Sequence, residues 1–122
     1  MNILETLKGA KDFLSHGAPR EEYRREDASG KVWCICYAIT DYLVSVYGVD
    51  AVIYGEKAAL RHKAHRHIQS KLQELTEAPY CYFEEVHAKV VLGSEYDASS
   101  YDYMQEQRAR HKWLDSLIQE LQ

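Results

Sequence analysis

Two groups of residues in this chain combine types and spacings that can do chemistry. The first is Cys36 with His87. A thiol at the start of a helix lies at the positive end of the helix dipole, which favours the nucleophilic thiolate. A histidine from another element can then take the proton, and an acid or amide can orient that histidine. Asp97 is the nearest candidate for the orienting role. The plainer reading makes Cys36 a small buried hydrophobe, as free cysteines usually are. The second group is His62, His65 and His67, in Leu-Arg-His-Lys-Ala-His-Arg-His-Ile. On a helix His62 and His65 share a turn, while His67 projects elsewhere. Zinc needs imidazoles and thiolates converging on a tetrahedron, and the two-histidine metalloprotease spacing with its intervening glutamate is absent. Cys34-Ile-Cys36 is one residue short of the usual spacer, and two helical thiols at that separation point apart. No metal and no cofactor is expected, and the histidines are read as solvent-facing.

Two further surfaces are candidates for binding. Arg61, His62, Lys63, His65 and Arg66 form a cationic run suited to a small anionic ligand or nucleotide. The chain also has ten tyrosines against two phenylalanines. Tyr96, Tyr101 and Tyr103 alternate with Glu95, Asp97 and Asp102. Tyrosine offers a large contact area with few rotatable bonds and a polar tip, so an acidic, aromatic segment suits a basic protein partner. The plainer reading is a polar loop whose tyrosines lie over the core edge.

The elements that must position these residues are mostly helical. Ile3, Leu4, Leu7, Ala10, Phe13 and Leu14 recur at spacings of three and four, which predicts a helix over 3–15 capped by Asn2. Residues 18–31 are a charged connection of mixed sign. The apolar run from Trp33 to Tyr47, closed by Gly48, predicts a buried central helix, and Val52-Ile53-Tyr54 is read as extended. A long helix follows over 56–75, with Leu60, Ala64, Ile68, Lys71, Leu72 and Leu75 on its inner stripe. Residues 80–93 are read as helix, with a short hairpin as the alternative. The last helix begins near Ser100 with a seam of Met104, Gln107, His111, Leu114, Leu117, Ile118 and Leu121. The expected fold is all-α, one domain over 1–122 built as a bundle of about five helices, with α+β as the alternative.

A length of 122 residues suits one domain that can bury a core without staples. A formal charge of −4 disfavours generic attraction to nucleic acid or anionic membranes. No apolar run approaches the roughly 18 residues of a membrane span. Three cysteines and an acidic N-terminal segment point to a cytoplasmic chain with reduced thiols.

Two resemblances bear on function. Trp33 to Ile39 and Val86 to Gly93 resemble the cysteine and histidine motifs of papain-like cysteine hydrolases, although the usual small residues beside the nucleophile are missing. That resemblance implies Cys36 as nucleophile, His87 as base and Asp97 as orienter. More of the chain resembles a bacterial and phage domain family without an assigned function. The matching pieces are Ala10 to Leu14, Gly30 to Ile39, and Asp97 followed by Trp113-Leu114-Asp115-Ser116-Leu117, with Tyr37 where that family has glycine. That resemblance implies no active site.

The leading expectation is a non-catalytic binding protein, an accessory or inhibitor that acts by protein–protein contact on a partner with a basic surface. A compact cysteine hydrolase and a small-ligand or nucleotide-binding protein are the alternatives. The C-terminal helical seam is a candidate homodimer contact in any of them.

Overall fold

The computed structural model describes residues 1–17, 26–76 and 103–122. Of these residues 76% are helical, and they form an all-α bundle. Four α-helices are described: α1, Ile3–Ala10; α2, Ile35–Tyr47; α3, Ala58–Thr76; and α4, Tyr103–Leu121. A 3-10 turn, Lys11–Phe13, continues α1, and a π-turn, Asp50–Tyr54, joins α2 to α3. The region 80–93 lies outside the described residues, so the choice between helix and hairpin there is not addressed.

Each helix begins and packs as its residues dictate. The Asn2 side chain accepts a 2.8 Å hydrogen bond from the Glu5 backbone N–H, satisfying one of the donors that a helix start leaves open. Leu7 and Ala10 of α1 and Leu14 just beyond it are buried with Ile35, Ile39 and Leu43 of α2, Ala64, Ile68 and Leu72 of α3, and Leu114 of α4. Gly9 faces the ring of Tyr42, and a Cβ there would come within 2.1 Å of it. Any side chain at position 9 would have to displace the Tyr42 ring at this approach of α1 to α2. Gly48 ends α2 with φ +87°, a conformation that side chains disfavour. Across the bundle, Lys71 bridges to Glu120 at 3.2 Å, tying α3 to α4.

Two sequence expectations need correction. The first helix ends at Ala10, because the chain tightens to a 3-10 turn and then extends at Leu14 to pair with Val32. Residues 50–54 are a π-turn and not extended. Val52 is fully buried there, and its carbonyl accepts a hydrogen bond from Arg61 Nε at 3.1 Å. Tertiary packing thus overrides the strand preference of two β-branched residues. The C-terminal part of the charged connection is a turn built around the buried Asp27, with Ala28, Ser29 and Gly30 exposed.

Candidate functional site

The start of α2 is held by backbone pairing. Ser15 N–H donates to the Val32 carbonyl at 2.7 Å, and Val32 N–H donates to the Phe13 carbonyl at 3.0 Å. Asp27 anchors the turn behind Val32. Its carboxylate accepts from Ser15 Oγ at 2.7 Å, Ser29 N–H at 2.9 Å, Ser29 Oγ at 2.5 Å and Lys31 N–H at 3.1 Å. Burial pushes the Asp27 carboxyl up, but these bonds outweigh it and hold the group below its ordinary 3.8.

Cys34 and Cys36 sit at the end of this clamp. Cys34 is the N-cap of α2, with φ −84° and ψ 134°, and its carbonyl accepts the first helical bond from Ala38 N–H at 3.0 Å. A helical residue has ψ of about −42°. The cap conformation therefore turns the Cys34 side chain by about half a turn about its Cα–C bond. Two thiols that would point apart on a helix are brought instead into a side-chain hydrogen bond. That contact, from Cys36, draws the Cys34 thiol down from 9.0 to about 7. Burial opposes the shift, while the backbone N–H groups of Tyr37 and Cys36 and the positive charge of Arg110 add to it. Both residues are partly exposed, although the Cys34 thiol group itself is largely buried.

On the neighbouring side, α4 plants polar groups into the interior. Gln107 Nε2 donates to the Ser15 carbonyl at 3.0 Å, and Arg110 donates to Gln107 Oε1. His111 Nε2 lies 3.2 Å from the Leu14 carbonyl and 3.1 Å from that of Ser15. Carbonyls only accept, so His111 carries its proton on Nε2. Its ring stacks on His16 at a centroid distance of 3.9 Å and an interplanar angle of 12°. Burial, then the neighbouring His16, lowers the His111 pKa below 6.5, and the ring is neutral near pH 7.

The residues singled out from sequence are distributed as follows. Cys36 is in the first turn of α2, whereas His87 and Asp97 lie outside the described residues. The thiol drawn down to about 7 is that of Cys34, which the hydrolase-like motif does not use. Glu95, Tyr96, Asp97, Tyr101 and Asp102 also lie outside the described residues, and Tyr103 is the first residue of α4. In the cationic run, His62, Lys63 and Arg66 are exposed. Arg61 and His65 turn inward instead. His65 Nε2 meets the Cys36 carbonyl at 3.0 Å and Thr40 Oγ1 at 3.1 Å. The expectation of solvent-facing histidines thus fails at His65, which ties α3 to the first turn of α2, and at His67, whose Nε2 is buried. Burial lowers the His65 pKa. Among the described residues no group of three or more metal-ligating side chains converges.

Sequence reasoning missed the acidity of Cys34, the anchoring role of Asp27 and the buried Arg110. The Asp-Ala-Ser-Gly order at 27–30 was a legible turn signal, because an aspartate can bond the backbone two residues on. Arg110 gave no such signal, since a charge beside a helical seam usually faces water.

At the other end of α2 the polarity is reversed. Val46 is 48%, Val49 54% and Tyr54 83% exposed, flanked by the exposed acids Asp50 and Glu56. Lys57 Nζ lies 4.6 Å over the ring of Tyr47. No described helix is long and apolar enough to cross a membrane. No family model, curated protein or solved structure matches the chain, so its function must be argued from its own residues.

Proposed function

We propose that this is a non-catalytic binding protein that acts by protein–protein contact on a partner with a basic surface. The observation that carries this reading is the exposed apolar corner formed by Val46, Val49 and Tyr54 where α2 passes into the π-turn. Large apolar side chains held outside the core on an ordered turn are a cost to a free protein and an asset to a complex. Asp50 and Glu56 border the corner, and the chain carries a net charge of −4. Both features favour a cationic partner, whose approach acidic groups accelerate at low salt. Glu95, Tyr96, Asp97, Tyr101, Asp102 and Tyr103 repeat the same acidic and aromatic composition and are assigned to the same role. An accessory or inhibitor protein of a phage or mobile element fits this description.

The test is affinity capture from the native host, followed by purification of the captured protein and its titration. Two variants are compared with wild type: Val46→Ser/Val49→Ser/Tyr54→Ser, and Glu95→Lys/Asp97→Lys/Asp102→Lys. The expected result is saturable binding that weakens as salt rises and is weakened at least tenfold by each variant. Equal affinity for wild type and both variants would overturn the reading.

A further inference from the structure

The pairing of two thiols at the start of α2 is not used by the binding reading and carries a chemistry of its own. We propose that Cys34 and Cys36 form a thiol–disulfide exchange site that low-molecular-weight disulfides, such as oxidised glutathione, convert reversibly into a Cys34–Cys36 disulfide. The argument rests on geometry. The separation of Cα atoms two residues apart depends on the residue between them, here Ile35, which is the first residue of α2. Helical geometry places those atoms about 5.4 Å apart. That lies within the range of roughly 4.4–6.8 Å that disulfides span. Separation alone is insufficient, because on a continuous helix the two side chains diverge. The extended ψ of 134° at Cys34 removes that obstacle, and the side-chain hydrogen bond between the two cysteines shows the thiols already facing each other. The Val32 pairing and the Asp27 turn hold the cap in this conformation, and partial exposure of both residues admits a small reactant.

The chemistry assigns a separate role to each sulfur. The Cys34 thiolate attacks one sulfur of the small disulfide, whose S–S bond breaks and releases one small thiolate, which takes up a proton. A mixed disulfide is left on Cys34. The Cys36 thiol then loses its proton to solvent and attacks Cys34 Sγ, expelling the second small thiol. In sum, the two protein thiols lose two electrons and two protons, and one small disulfide is reduced to two thiols. A thiol with a pKa near the ambient pH is the most effective attacking group in such exchange, and Cys34, at about 7, meets that condition. Cys36 is the resolving thiol, since it is the hydrogen-bonding neighbour of the attacked sulfur.

The experiment uses the full chain with Cys81→Ser, so that only these two thiols remain. It is equilibrated with oxidised glutathione, then examined by mass spectrometry and thiol counting. The expected product has lost both thiols, carries no adduct, and regains both thiols with excess reduced glutathione. Adding Cys36→Ser should trap one glutathione per chain on Cys34, with the pH midpoint of the trapping rate moved above that of the parent, because the Cys36 side chain is the largest influence lowering the Cys34 thiol. Adding Cys34→Ser instead should slow the reaction at neutral pH at least tenfold. Cys36→Ala serves as a second trap should the serine disturb the helix start, and circular dichroism verifies folding in each case. Two free thiols surviving in the folded protein, or a stable glutathione adduct in place of the internal disulfide, would overturn the proposal. Failure here would leave the binding corner untouched, since that surface contains no cysteine.

Discussion

At its N-terminal end α2 starts among buried polar groups, and at its C-terminal end it passes into exposed apolar ones. Gln107 and Arg110 are almost fully buried near the first end, while Val46, Val49 and Tyr54 stand in solvent at the second. Both arrangements run against the usual partition, and they are sustained differently. Buried polar groups survive only when hydrogen-bonded, and Gln107 and His111 spend their donors on the carbonyls of Leu14 and Ser15. Exposed apolar groups need no partner to be tolerated, so they contribute little to the fold and remain free for binding. The first end should therefore be fragile to mutation, and the second nearly silent in stability.

The largest effect is expected at Gln107. Gln107→Leu keeps the apolar part of the side chain but removes the acceptor for the Arg110 guanidinium in the interior. Leaving a buried charged donor without that bond should cost about 2–3 kcal/mol, read by urea unfolding at neutral pH. A loss below about 0.5 kcal/mol, typical of surface changes, would mean that this junction is not the fragile end of α2.

The middle of α2 gives the next effect. Gly9→Ala places a Cβ against the Tyr42 ring, which is flanked in turn by Phe13 at a centroid distance of 6.1 Å. Tyr42 is only partly buried, so its ring can give way in part, and overpacking of this kind should cost about 1–3 kcal/mol. Gly9→Ala/Tyr42→Leu should recover part of the loss. Equal stability of Gly9→Ala and wild type in thermal melts would show that α1 can move away freely.

Acidification should separate the two ends by a further amount. His65 and His111 lie among backbone carbonyls near the N-terminal end of α2, and burial lowers both pKa values below 6.5. An unfolded chain then binds more protons than the folded one as pH falls below that value. Stability should be fully present above about pH 6.5 and should decline as pH drops toward the lowered folded values. His111→Gln keeps an amide donor while removing the titration, so its stability should fall less steeply between pH 7 and pH 5. A slope equal to that of wild type would assign the acid sensitivity to His65 and His67 instead.

How much of this was legible in the sequence follows from how local each determinant is. The core stripes were legible, because Leu7, Ala10, Ile68, Leu72 and Leu114 follow helical spacing within their own segments. The Asn2 cap and the Gly48 stop were legible for the same reason. The thiol pair was not. Its geometry depends on one cap residue whose ψ is fixed by Val32 pairing with residues 13–15, a contact set outside the helix. The π-turn was hidden too, since Val52-Ile53 favours strand locally and only the bundle supplies the cavity that Val52 fills. His65 read as one of several exposed cations because its partner, the Cys36 carbonyl, is 29 residues away in sequence. Local periodicity thus determined which faces were apolar, while the polar junction depended on distant backbone.

The smallest stability effect is expected at the exposed corner, and its smallness is the informative result. Tyr54 is 83% exposed, so Tyr54→Ser removes little surface that folding had taken from water. Val46→Ser and Val49→Ser act on side chains roughly half in solvent, at 48% and 54% exposure. Each single change should alter unfolding free energy by no more than about 0.5 kcal/mol. Val46 lies within α2, where serine and valine have nearly equal helix preference, so no backbone effect is expected to enter. The measurement is urea unfolding of the three single variants, with the denaturant slope compared to confirm that the unfolded surface is unchanged. If the changes are silent in stability yet reduce partner binding, the corner serves recognition alone. If any one costs more than about 1.5 kcal/mol, its side chain supports the π-turn, and the contrast between the two ends of α2 becomes one of degree.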